Sequence, residues 1–195
     1  MYDYFQGSVN YLSPTQITVD CNGVGYRLEI SLHTFTAIKE SKQVKLFVHQ
    51  VIREDAHLLF GFAEEEERFM FRELLNVSGV GASTSRIILS SLTAAELRNV
   101  IAIGDISTLQ KVKGIGAKTA QRIVVDLQDR LKKGMTFPST TMPGLHNTSI
   151  TEALSALLTL GFARQSAEKA ILQAQKNLGG LPSVEELIKL ALSYL

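Results

Sequence analysis

Two stretches carry the residue types from which a phosphate site can be built: residues 77–89, VSGVGASTSRIIL, and residues 112–124, VKGIGAKTAQRIV. A shift of 35 residues lays Val77 on Val112, Gly79 on Gly114, Gly81 on Gly116, Thr84 on Thr119 and Ile88 on Ile123. This is an internal repeat, and it runs through a turn into the helix behind it. Each copy sets Gly-x-Gly between one predicted helical segment (69–76, 106–111) and the next. Glycine permits positive φ and close approach of a backbone, and the first turn of a helix offers unpaired N–H groups to an anion. The chemistry is the cradling of a phosphate. Candidate contacts are Gly79, Val80, Gly81, Ala82, Ser83 and Thr84 in the first copy. In the second they are Lys113, Gly114, Ile115, Gly116, Ala117, Lys118 and Thr119.

Other chemistries are poorly served. Neither copy has the third glycine or preceding strand of a dinucleotide fingerprint, nor the Gly-Lys-Ser/Thr of a P-loop. The pair instead resembles the tandem helix-hairpin-helix motif, which holds a DNA backbone without reading bases. One Gly-x-Gly alone would be a helix C-cap and turn; two in register argue for a ligand. Glu54 and Asp55, between two strands, read first as solvated turn residues. Glu64, Glu65, Glu66 and Glu67 read as the exposed first turn of a helix. His49 and His57 have no second ligand at metal spacing, and Cys21 reads as a small buried strand residue. No catalytic residue, metal or cofactor is assigned.

The elements that position these residues fall into modules. Residues 1–63 read as all-β, with alternating Ile17, Val19 and Cys21, a turn at Asn22-Gly23, and then Tyr26, Leu28 and Ile30. Val44, Leu46 and Val48 make another strand and 58–62 a last one, so a five-stranded barrel of oligonucleotide-binding or SH3-like type fits. Residues 64–134 hold the hairpins, with a capping box at Thr93 and Glu96 opening a connecting helix to about Ile103, and Asp105 capping the next. Residues 135–148 read as a flexible linker. Residues 149–195 read as three short helices, started by Ser149-x-x-Glu152, by the segment after Gly161-Phe162, and by Ser183-x-x-Glu186. The fold class is α+β multidomain.

Net charge is +1, but residues 74–134 hold 9 Lys and Arg against 4 acids, so the positive excess lies on the hairpins. The lone cysteine excludes an internal disulfide framework and fits a reducing compartment. No apolar run reaches the roughly 18 residues of a membrane span, and a cytoplasmic protein is expected.

With Arg53-Glu54-Asp55-Ala56, the doubled hairpin, the turn Asn22-Gly23-Val24-Gly25-Tyr26 and the helix ending Leu157-Leu158-Thr159-Leu160-Gly161-Phe162 in this order, the chain closely resembles the RuvA family. The resemblance spans essentially the whole chain. It implies an oligonucleotide-binding-type barrel, a double hairpin domain and a C-terminal three-helix, UBA-like domain. It also implies a non-catalytic subunit that binds four-way (Holliday) junction DNA without sequence preference, for branch migration in recombination and repair. The implied partners are a RuvB-type hexameric AAA+ ATPase, a junction-resolving endonuclease, and further copies of the chain in a homotetramer or octamer, with no membrane contact. Glu54 and Asp55 would form an acidic pin at the centre of the junction, and Leu157 and Leu160 would meet the motor. One departure stands out. The family commonly has Gly-Pro-Lys in the first hairpin where this chain has Gly81-Ala82-Ser83, so the second hairpin, with Lys113 and Lys118, is expected to carry more of the salt-sensitive affinity. The rival readings are a general DNA-tethering module and a targeting subunit of a structure-specific nuclease.

Overall fold

The computed structural model describes residues 1–132, 148–178 and 182–195. The linker expected over 135–148 lies, up to residue 147, outside them. The chain divides into two compact units, Met1–Phe137 and Pro138–Leu195.

The first unit opens with β1 (Tyr4–Ser13), β2 (Gln16–Cys21), β3 (Val24–Ile30), β4 (Gln43–Ile52) and β5 (His57–Phe62), closed in the order β1-β2-β3-β5-β4. The β3–β5 pair is parallel, whereas the other pairs are antiparallel. Closure in this order gives the barrel its oligonucleotide-binding type and removes the free sheet edges that invite stray pairing. Asn22 and Gly23 have φ of 55° and 87°, the two positive values that a tight two-residue hairpin turn demands. Alternation then sends Ile17, Val19, Leu28, Ile30, Leu46 and Val48 inward, each at most 1% exposed. The barrel segment is not all-β, however. A seven-residue helix, α1 (Leu32–Ile38), crosses from β3 to β4, its N-cap Ser31 accepting from Thr34 N at 3.0 Å. Two turns are too short to declare a helical period, which is why strand alternation on either side masked it.

Five helices complete the unit: α2 (Glu65–Leu75), α3 (Ala82–Ser91), α4 (Ala94–Ile103), α5 (Ile106–Gln110) and α6 (Ala117–Lys132). The reciprocal Thr93–Glu96 capping box forms, and α4 ends at Gly104 with φ 75°. Asp105 caps α5 by accepting from Thr108 N at 3.1 Å, and the Thr108 and Ser107 hydroxyls join it at 2.6 and 2.7 Å. Led by the Thr108 hydroxyl, these donors hold its carboxyl at about 2, below the usual 3.8. Phe60 and Phe62 of the barrel are buried with Phe71, Leu74, Leu97 and Ile123 in the helical core. The Phe71 ring lies 4.9 and 5.0 Å from those of Phe60 and Phe62, so barrel and hairpins share an apolar seam.

The second unit contains α7 (Thr148–Thr159), α8 (Arg164–Leu178) and α9 (Val184–Ala191), with a 3-10 turn at Leu192–Tyr194. Its core alternates small Ala153, Ala167, Ala170 and Ala174 with Leu157, Ile171 and Leu187. Small side chains let helix axes approach closely around a few large ones. The Ser183–Glu186 capping box forms as expected. Ser149 does not open its helix: α7 already runs from Thr148, so Ser149 stands within it. Gly161, with φ 94°, turns the chain out of α7, and Phe162 N closes onto Leu157 O at 3.1 Å.

Candidate nucleic-acid interface

The two Gly-x-Gly turns are the same object built twice. Val80 N donates to Val77 O at 3.0 Å and Ile115 N to Val112 O at 3.1 Å. Val77 N and Val112 N each donate to a leucine carbonyl, Leu74 and Leu109, at 3.1 Å. Ser85 N on Gly81 O (2.8 Å) and Ala120 N on Gly116 O (2.9 Å) start the following helices. Each of these bonds maps onto its partner by the sequence shift. Gly79 and Gly114 have φ of 88° and 89°, a region that side chains avoid. Gly81 and Gly116 have no such backbone need. Gly81 is the extended N-cap of α3 (φ −95°), and a Cβ at either position would have no atom within 4 Å. Neither backbone conformation nor packing within the chain asks for glycine at either position.

Val77, Val80, Val112 and Ile115 anchor the turns in the core, at 2 to 6% exposed. Val80, Ala82 and Ile115 therefore cannot offer side chains to a ligand, as a reading of the whole stretch would have it; they can present only backbone. Gly79, Gly81, Ser83, Lys113, Gly114, Gly116, Ala117 and Lys118 are exposed, and Thr84 and Thr119 half-buried. The Lys113 and Lys118 side chains have no ion-pair partner among the described residues. The sequence reading missed Arg122. From α6 of the second copy its Nη1 donates to Ser78 O (3.1 Å) and Ser78 Oγ (3.2 Å) on the first turn. It lies 4.0 Å from where a Gly79 Cβ would sit. The first turn, which lacks a lysine of its own, thus has a guanidinium supplied from the other copy. Only a spatial contact reveals this, because 44 residues separate the pair.

Glu54 and Asp55 project from the turn between β4 and β5, closed by Arg53 N on Ala56 O at 2.8 Å. Both are exposed, and neither side chain has a partner among the described residues. Among the described residues, no group of three or more His, Cys, Asp or Glu is placed to hold a metal ion, and no helix is long and apolar enough to cross a membrane.

Comparison with known proteins gives these features a common frame. Residues 1–61 match the description "RuvA N terminal domain", residues 71–129 "SAM-like Helix-hairpin-helix tandem" and residues 149–195 "RuvA, C-terminal domain". A protein of Bacteroides fragilis named "Holliday junction branch migration complex subunit RuvA" is 44% identical over 202 residues, covering all of both chains. Proteins of the same name from Bacteroides thetaiotaomicron and Christiangramia forsetii are each 45% identical, again over all of both chains. The chain belongs to the RuvA family.

Several RuvA-family expectations can now be placed. Leu157 is fully buried among α7, α8 and α9, so it is core and can act on a partner only indirectly. Leu160 is 63% exposed and can touch one directly. Ala153 is buried in the core, and Leu158 is exposed. The acidic run at the start of α2 is not wholly a solvated turn: Glu67 is 6% exposed and hydrogen-bonded to α1. Burial pushes its carboxyl up, while the Ser31 and Thr34 hydroxyls pull it back down. His49 packs edge-on to Phe71 and accepts from Arg72 Nε at 3.4 Å. Burial, then Arg72 and Arg68, pushes its pKa down, which leaves it a neutral packing residue. Cys21 is free and half-buried at the end of β2, with Sγ 3.4 Å from Gln6 O.

Proposed function

We propose that this RuvA-family chain binds four-way DNA junctions without reading sequence, keeps them open, and delivers them to a hexameric RuvB-type ATPase for branch migration. One observation supports the reading: two turns with matching hydrogen bonds, each with a glycine at which a Cβ would meet nothing within 4 Å. Two cradles in one compact unit suit successive phosphates of a duplex arm. The division of labour follows the modules: barrel at 1–63, cradles at 64–134, linker at 135–148 and motor contact at 149–195. Four arms call for four equivalent pairs of cradles, hence a cyclic homotetramer, or two stacked as an octamer. A junction-resolving endonuclease is a further partner of the same complex. Catalysis of ATP hydrolysis is left to the motor.

Within each cradle the backbone N–H groups of Gly79 to Thr84 and of Gly114 to Thr119 take phosphate oxygens. Lys118, Lys113 and Arg122 neutralise charge. Such contacts make affinity fall with salt, with a slope set by the number of phosphates neutralised. Lys118→Ala, and separately Arg122→Gln, should each flatten the slope of log affinity against log salt by about one unit, equally for any sequence. Fluorescence anisotropy on a junction at several salt concentrations checks this. An unchanged slope in both variants would remove DNA from these turns.

A further inference from the structure

The barrel and the hairpin helices join covalently at one place, between Ala63 and Glu64. The junction reading nevertheless needs them at one fixed angle, because Glu54 and Asp55 belong to the barrel and the cradles to the helices. On the side of α3, Arg86 ties the helices to the barrel through Thr15 O (3.0 Å) and Glu29 Oε2 (2.5 Å), and Leu32 N donates to Ser90 Oγ at 3.1 Å. On the side of α2, two consecutive residues of its first turn hold the angle. Glu67 and Arg68 are 6% and 3% exposed and reach different parts of the barrel. Arg68 donates to Asp3 O at 2.7 Å, Asp3 Oδ1 at 2.6 Å and Val48 O at 3.4 Å, gripping β4 and the residue before β1. Glu67 accepts from Ser31 Oγ and from Thr34 Oγ1, the latter at 2.6 Å. Each hydroxyl is itself pinned. Ser31 Oγ accepts from Thr34 N at 3.0 Å, and Thr34 Oγ1 accepts from Ala63 N at 3.0 Å, so both hydrogens have one direction left and both point at Glu67.

A buried carboxylate is costlier than an apolar side chain of similar volume, so its presence at this seam calls for a reason other than stability. Hydrogen bonds to a carboxylate fix an angle more narrowly than the ring packing of Phe71 against Phe60 and Phe62 does. α2 is therefore a rod clamped to the barrel at its first turn and ending in the first cradle. We infer that Glu67 is a positioning residue: by holding Ser31 and Thr34 it fixes the separation between the cradles and the Glu54–Asp55 turn, and so sets the preference for a junction over linear duplex. The inference rests on the junction reading above and adds to it the element that makes pin and cradles act together.

The test uses the full chain and compares Glu67→Leu with the parent for a four-way junction and a linear duplex of the same sequence. The variant should fold, bind linear duplex at least as tightly as the parent with the same salt slope, and lose roughly 10-fold in the junction-to-duplex ratio. A clamp that serves only stability would not move that ratio at equal fold. Added to Glu54→Gln, Asp55→Asn, the change should cost almost no further discrimination, because the clamp acts through the acids. A folded Glu67→Leu protein with the parent's ratio, or losses that simply add, would overturn the inference while leaving the junction reading intact. Should leucine prevent folding, Glu67→Gln decides. It keeps the shape with one acceptor oxygen instead of two, so its ratio should fall part-way, and an unchanged ratio overturns the inference. A parent without any junction preference would remove the junction reading and the clamp with it.

Discussion

Replacing Gly81 and Gly116 together by aspartate should leave the fold as stable as the parent and lower DNA affinity at least about 100-fold. The fold should survive because both positions immediately precede helices. Gly81 already has the extended N-cap conformation, and aspartate is among the preferred N-cap residues, within a few tenths of a kcal/mol of glycine. The new side chain meets no atom of the protein within 4 Å. Binding should suffer because that same open space would receive the phosphate, and a carboxylate there repels it while taking up the N–H groups it would use. A hydrogen bond to a charged group contributes about 1.5–3 kcal/mol. Losing one in each of two cradles gives about 3–6 kcal/mol, and each 1.4 is tenfold. Thermal unfolding and anisotropy on one preparation check both halves. Unaltered binding would mean that the glycines make room for nothing. The equivalent change at Gly79 or Gly114 would be uninformative, since their positive φ would strain the fold itself.

Removing residues 138–195 should abolish stimulation of the motor's ATP hydrolysis and leave junction affinity within about 3-fold, because the remaining unit retains both apolar clusters that hold barrel and hairpins together. Within that second unit the two leucines separate cleanly. Leu160→Glu, at an exposed site, should cost the motor contact about 2 kcal/mol or more with the unit still folded. Leu157→Ala removes a fully buried side chain and should destabilise the unit by about 3 kcal/mol before any contact is measured. Loss of junction binding on truncation would contradict the separation of roles.

Much of this was legible in the residues. The doubled Gly-x-Gly marked the paired turns because a shift by a constant number of residues is visible without a structure, and the hydrogen bonds obey the same shift. Asn22-Gly23 marked its hairpin and Thr93 with Glu96 its helix start for the same reason, local chemistry with a local signature. What stayed hidden was long-range. Glu67 looked like one more acid in a solvated turn, and only the position of α1, a helix too short to declare itself, buries it. Arg122 reads as a charge on the outside of α6 until the two copies are folded together and it lands on Ser78. Leu157 lies in α7 and Leu160 just past its end, and which of the two meets the core depends on where α8 and α9 pack.

On the proposed reading, this chain recognises an open junction through cradles that attract phosphate and acids that repel it. Two adjacent carboxylates would weaken binding wherever they met duplex, so their use must lie in opposing collapse of the junction and in disfavouring continuous duplex. The most direct test is a competition between a four-way junction and a linear duplex of identical sequence, with and without magnesium, for the parent and for Glu54→Gln, Asp55→Asn. The parent should prefer the junction in both conditions. The variant should bind both DNAs at least as tightly while its preference shrinks. A parent that binds both alike would contradict the account, as would magnesium-dependent cleavage of the junction that vanishes with the two acids.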